Sequence, residues 1–144
     1  MQVQQCMTRD VHTIEPGAPV KEAAETMARH DLGALPVALS GRLIGMATDR
    51  DIAIRGVGRG KGPEVPTSEI MTEELLYCRS GDDVRDVLAS MGESQVRRLP
   101  VLDDDKQLVG IVSIGDLAKA KPEAGGAGLA LVAEPSDHHS QDLN

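Results

Sequence analysis

Two short stretches carry side chains at a spacing that suits hydrogen-bonding chemistry. Thr48 is followed three residues later by Asp51, and Ser113 by Asp116. A carboxylate can accept hydrogen bonds from two adjacent hydroxyls, and a hydroxyl can accept one bond while donating another. Where such a stretch opens a helix, the free backbone N–H groups also suit an anion. The same residue types at the same spacing also cap a helix with no ligand present. Spacing alone leaves both readings open.

Bond-making chemistry has little support. The chain contains no G-x-S-x-G, G-x-x-x-x-G-K-[ST], H-E-x-x-H or C-x-x-C. Its carboxylates form no recognisable acid/base pair, and an Asp near a Ser without a His is a poor nucleophile arrangement. His12, His30, His138 and His139 have no zinc-motif spacing to either cysteine, so no metal site is expected. Cys6 and Cys78 are too few for a disulfide framework; they read as small buried hydrophobes, with a redox pair as the alternative. The chain reads as a non-enzyme.

The elements that must position these residues come in two copies. Met7-Thr8 recurs as Met71-Thr72, and Gly17, Val20, Met27, Leu35, Pro36 and Val37 recur as Gly81, Val84, Met91, Leu99, Pro100 and Val101. One inserted residue later, Leu43, Gly45, Asp51 and Ala53 recur as Leu108, Gly110, Asp116 and Ala118. Identities that keep their order along two blocks mark a duplication. Val20, Ala23, Ala24 and Met27 lie on one helical face, as do Val84, Val87, Leu88 and Met91. Ser80 with Asp83 reads as a capping box for the second of these helices.

Residues 34–39 and 42–47 read as strands around a Ser40-Gly41 turn, and residues 98–102 and 107–112 as their counterparts. A first strand is expected near Val11–Ile14 and Leu75–Cys78, and a last helix near Asp49–Arg55 and Gly115–Lys121. The fold class expected is α+β: tandem β-α-β-β-α repeats packed as a pseudo-twofold pair, because neither copy buries enough alone. The boundaries expected are 5–56, a Gly-rich linker over 57–68, a second domain over 69–121 and a disordered tail over 122–144. Residues 128–133 form an apolar run within that tail.

Composition narrows the partners. The chain has 144 residues, a formal charge of −8, one Tyr and neither Phe nor Trp. Net negative charge repels a phosphate backbone, and bases would find almost no ring to stack on, so nucleic acid is disfavoured. No apolar stretch suits a membrane span and the N-terminus shows no leader pattern, so a cytoplasmic location is expected. Against that background, residues 50–61 hold Arg50, Arg55, Arg59 and Lys61 with only Asp51 opposing them. This cluster reads as a solvated face or as an anion contact. Arg97-Arg98 precede Leu99-Pro100, whereas the first copy has Gly33-Ala34 there. These arginines read either as surface charges or as phosphate contacts, and any two clefts would be chemically unequal.

Each copy resembles a CBS domain, and the pair resembles a Bateman module. The marks are the early Met-Thr, the central Leu-Pro-Val, and Gly-x-x-[Ser/Thr]-x-x-Asp, standing here as Gly45 to Asp51 and Gly110 to Asp116. The resemblance covers about residues 5–121 and is similar to that of small stand-alone bacterial proteins associated with stress and hypoxia. It implies regulatory binding of an adenine-containing ligand (AMP, ADP, ATP, NAD or S-adenosylmethionine) in clefts between the copies, with no obligatory cofactor. Carried over residue by residue, Asp51 and Asp116 would hold ribose hydroxyls, Thr48 and Ser113 would face phosphate, and Arg97 or Arg98 would add charge, with Arg50 in the other copy. Thr13 and Ile14, and Tyr77 with Cys78, would wall the adenine. The resemblance also implies a homodimer and an effector protein that reads the bound state; the alternative is a partner-binding module with vestigial clefts.

Overall fold

A computed structural model describes residues 1–120. The expectations for the tail, and for Lys121 at the end of the last helix, lie outside the described residues. The chain divides into two compact units, one of residues 12–75 and the other of residues 1–11 with residues from 76 onward. This division crosses the repeat boundaries: each Met-Thr belongs to the unit built on the other copy's strands.

The first unit holds helix α1 (Val20–His30) and the hairpin β1 (Ala34–Leu39) and β2 (Arg42–Thr48), with Ala34 opposite Thr48. Ser40 and Gly41, at φ 52 and 81, make the two-residue turn whose twist matches the strands. A single turn of α-helix, α2 (Asp49–Asp51), runs into a π turn over Ile52–Gly56 and a 3₁₀ turn over Val57–Arg59. The expected strand at Val11–Ile14 shrinks to one parallel bridge, Ile14 to Val37.

The second unit repeats the plan. Strand β3 (Cys78–Arg79) pairs parallel with β4 (Arg98–Leu102), which pairs antiparallel with β5 (Leu108–Ser113). Helix α3 (Val84–Ser94) covers the sheet, and α4 (Ile114–Ala120) follows β5. The cap of α3 differs from the expected box. Asp83 is the N-cap and accepts from the Arg85 N–H at 2.8 Å, while the Ser80 backbone bonds to Leu102 and Gln4 instead.

Each unit has its own core. Val20, Ala23 and Met27 pack with Leu35, Val37, Ala47 and Ile70, whereas Ala24 is exposed. Val84, Val87, Leu88 and Met91 pack with Leu99, Val101, Val112 and Leu117. Cys78 belongs to this second core and is 5% exposed; burial, the Asp82 carboxylate and Cys6 push its thiol up to about 12. Both cysteines are free.

The Gly-rich segment expected as a linker is part of the first unit. Pro19 offers α1 no side-chain cap, and the carbonyls of Val65 and Pro63 accept from the Val20 and Lys21 N–H groups at 2.9 and 3.0 Å. Fully buried Thr67 secures the segment, its hydroxyl donating to the Ala18 carbonyl at 2.7 Å. The segment thus supplies acceptors that the start of α1 lacks.

The Met-Thr pairs close the sheets. Thr72 exchanges both backbone hydrogen bonds with Met46 at 2.9 and 2.8 Å, and Thr8 does the same with Ile111 at 2.9 Å each way. The two methionines lie on bare glycine backbone. A Cβ on Gly45 would come within 2.7 Å of Met71 Sδ and 3.0 Å of the Thr72 carbonyl oxygen. On Gly110 it would come within 2.6 Å of Met7 Sδ and 2.9 Å of the Thr8 oxygen.

Two outcomes are expected. Gly45→Ala and Gly110→Ala each lower stability by about 1–3 kcal/mol in urea unfolding, the usual range for overpacking. Gly81→Ala, with nothing within 4 Å of its Cβ, changes it by less than about 0.5 kcal/mol. Separately, the folded state holds the Cys78 proton until about 12, while the unfolded chain releases it near 9.0. The unfolded state therefore binds fewer protons across that window, and stability falls as pH rises through it. Cys78→Val should flatten that fall, and at pH 8 a thiol reagent should label Cys78 only after denaturation.

Candidate functional site

Both hydroxyl–carboxylate pairs form reciprocal caps at the end of the hairpin's second strand. Asp51 N–H donates to Thr48 Oγ1 at 3.0 Å, and Thr48 N–H donates to Asp51 Oδ2 at 3.1 Å. In the second unit, Asp116 N–H donates to Ser113 Oγ at 3.0 Å and Ser113 N–H to Asp116 Oδ2 at 3.2 Å. The capping reading thus holds in both copies. It consumes one carboxylate oxygen and one acceptor position of the hydroxyl, and leaves each hydroxyl hydrogen able to donate outward.

A second backbone contact sets what surrounds each cap. The Gly33 carbonyl accepts from the Asp49 N–H at 2.9 Å, and the Arg97 carbonyl accepts from the Ile114 N–H at 2.8 Å. The residue before the Leu-Pro strand is therefore bonded to the start of the last helix. Ala34 lies opposite Thr48 in the ladder, and Arg98 opposite Ser113. The second unit consequently gathers Arg97, Arg98, Ser113 and Asp116 at one end of its sheet. The first unit offers only Gly33 and Ala34 at the equivalent points. Arg98 is exposed and Arg97 half-buried.

The first unit has two residues that sequence reading left out of its site. Thr72 Oγ1 lies 3.4 Å from Asp51 Oδ1 and 3.5 Å from Oδ2. Arg55 Nε lies 3.8 Å from Asp51 Oδ1, while its Nη1 donates to the Met71 carbonyl at 3.0 Å. The signal for Arg55 was its place four residues after Asp51, a spacing at which opposite charges meet along a helical backbone. Thr72 carried no such local signal, because it is distant in sequence.

Ile14 is 5% exposed and held by its bridge to β1, with Thr13 exposed beside it. Arg50 is exposed, and its backbone N–H donates to Asp49 Oδ1 at 2.8 Å. Tyr77 and Cys78 line a recess of about 110 Å³ with Asp82, Asp86, Val87, Ser90 and Leu99, which includes neither Ser113 nor Asp116. A larger, mostly apolar cavity of about 260 Å³ lies in the first unit between α1 and the residues after Asp51, bordered by Lys21 and Lys61.

Burial pushes both cysteine thiols up, and Asp116 adds to the effect at Cys6, so neither supplies a thiolate near neutral pH. Among the described residues, no three His, Cys, Asp or Glu side chains converge as a metal site, and His12 stacks on His30 with ring centroids 3.6 Å apart. His138 and His139 lie outside the described residues. No helix among the described residues is long and apolar enough to cross a membrane.

The family model described as "CBS domain" matches residues 3–57 and 68–123. The CBS domain-containing protein YhcV of Bacillus subtilis is 39% identical over 138 residues, covering 94% of this chain and 98% of that protein. Among solved structures, Hypoxic Response Protein I with two coordinated zinc ions is 34% identical with a TM-score of 0.76, over 83% of this chain and 98% of that one. CBSX2 in complex with AMP is 26% identical with a TM-score of 0.74, over 85% and 96%. The CBS domain pair of protein MJ0100, in complex with 5′-methylthioadenosine and S-adenosylmethionine, is 26% identical with a TM-score of 0.72, over 85% and 97%. With both repeats matched and the α+β architecture shared, the chain belongs to the CBS-domain family and carries two CBS domains.

Proposed function

We propose that this protein is a non-catalytic regulatory module that binds an adenosine-bearing ligand, and that it works in the cytoplasm as a homodimer read by an effector protein. The observation that carries the reading is the second unit's cluster. There the Ser113 hydroxyl can still donate, one oxygen of Asp116 lies outside the reciprocal cap, and Arg97 and Arg98 stand at the same end of the sheet. A carboxylate oxygen suits the 2′,3′-diol of ribose, and a hydroxyl with arginines suits phosphate.

The ligands of two neighbours support the same chemistry. AMP and S-adenosylmethionine share adenosine and differ at the 5′ substituent, and each is held by a protein of this fold. An aliphatic environment suffices for the base, since the chain has one Tyr and no other aromatic ring apart from histidine. Regulation then requires that ligand bind two shapes of the module unequally.

Thermal unfolding against AMP, ADP, ATP, NAD and S-adenosylmethionine tests the reading. A true ligand at 100 times its dissociation constant adds about 2.7 kcal/mol, enough to raise the midpoint by several degrees. Asp116→Asn, which keeps an acceptor for the Ser113 N–H, should weaken adenosine and AMP binding by about tenfold or more. Arg98→Ala should weaken AMP while leaving adenosine unchanged. No shift with any of these compounds, from protein free of carried-over ligand, would replace this reading with a partner-binding module whose ligand sites are vestigial.

A further inference from the structure

The two units carry the same hydroxyl–carboxylate pair, but among the described residues only one of the two carboxylates meets a basic side chain. In the second unit, Asp116 Oδ2 accepts from the Ser113 N–H, and Asp116 makes no ion pair with a basic side chain among the described residues. In the first unit, Asp51 Oδ2 accepts the equivalent bond, while Oδ1 faces the Thr72 hydroxyl at 3.4 Å and Arg55 Nε at 3.8 Å. The Asp51 side chain is left 13% exposed. Arg55 is itself held in place, because its Nη1 donates to the Met71 carbonyl at 3.0 Å.

This difference follows from one position in the repeat. Arg55 aligns with Ala120, whose methyl cannot reach a carboxylate. Arg55 lies in the π turn that follows α2, whereas Ala120 closes the regular helix α4. π turns are rare and frequently found at functional sites. This one carries a cation 3.8 Å from the oxygen that a ribose diol would use.

We infer that Arg55 is an internal competitor for the ligand's diol, and that it makes the Asp51 site the weaker of the two. This rests on the adenosine-binding reading above. A diol reaching Asp51 must displace the Arg55 contact and the Thr72 hydroxyl together, whereas a diol reaching Asp116 displaces neither. Arg55 is therefore a specificity-determining residue acting on occupancy: Asp116 fills first, and Asp51 fills only at higher ligand concentration. Two signals of the same ligand, low and high, would then be distinguished by one chain.

Titration calorimetry of the full chain with adenosine and with AMP decides the matter. Asp116→Asn isolates the first site, and Arg55→Met is added to it, keeping the aliphatic stem while removing the charge. The double variant should bind adenosine roughly fivefold to tenfold more tightly than Asp116→Asn alone, the effect of removing one half-exposed ion pair and its supporting bond. Unchanged or weaker adenosine binding overturns the inference. So does a loss confined to AMP, which would make Arg55 a phosphate contact instead. Should Arg55→Met fail to fold, Arg55→Gln keeps a donor for the Met71 carbonyl without the charge and carries the same test. Binding at Asp116 in the wild type with no response to the Arg55 variants sinks this inference alone; no binding of adenosine or AMP to any variant sinks the adenosine-binding reading and this inference with it.

Discussion

In each unit, a Met-Thr pair adds itself to the free edge of a hairpin, and it can do so only because a glycine lies beneath the methionine sulfur. Gly45 and Gly110 have no side chain to hold Met71 and Met7 away, so the Thr72 and Thr8 backbones come close enough to exchange both hydrogen bonds with Met46 and Ile111. Much of the first unit's site depends on this approach. It places the Thr72 hydroxyl beside Asp51 and presents the Met71 carbonyl that anchors Arg55. It also draws the segment after Gly56 back over α1, where Pro63 and Val65 satisfy N–H groups that Pro19 leaves bare.

Capping and the proposed ligand binding would use the same groups without excluding each other. A carboxylate has two oxygens, and the reciprocal cap takes one of them; a hydroxyl that accepts a bond can still donate one. The cap fixes rotamers that a ligand would otherwise have to order, which lowers the entropic cost of binding. The pairs at Thr48–Asp51 and Ser113–Asp116 are thus pre-organised acceptors and donors at the ends of β2 and β5.

The duplication preserved the scaffold and let the surroundings of the two caps diverge. The backbone bond between the residue two positions before Leu-Pro and the start of the last helix is the same in both units, accepted by the Gly33 carbonyl in one and the Arg97 carbonyl in the other. A conserved main-chain contact thereby carries different side chains to equivalent places. The first unit gains an internal cation at Arg55, and the second gains external ones at Arg97 and Arg98. A tandem CBS pair of this kind has one acceptor covered from within and one flanked by positive charge.

The features legible in the sequence are those written by residues close together along the chain. Helical periodicity marked α1 and α3, Ser40-Gly41 marked the first hairpin, and the three-residue spacing marked both caps. These signals are local because helix faces, tight turns and caps are satisfied within a few residues. The repeat itself was legible for a different reason, since two copies of one sequence can be compared directly. Tertiary structure decided the rest. Both copies contain a Met-Thr and a receiving glycine, so the sequence leaves open which pair docks on which strand, and the chain's answer is the exchanged one. The Gly-rich segment read as a linker because its composition is loop-like, yet its carbonyls are the acceptors that the start of α1 needed. Ile14 bridges to Val37 and is buried among the first unit's core residues, a placement that long-range pairing decides. Whether Asp51 and Asp116 are equivalent was likewise beyond the motif they share: a carboxylate's availability depends on what folds over it, and Thr72 arrives there only through long-range closure of the sheet.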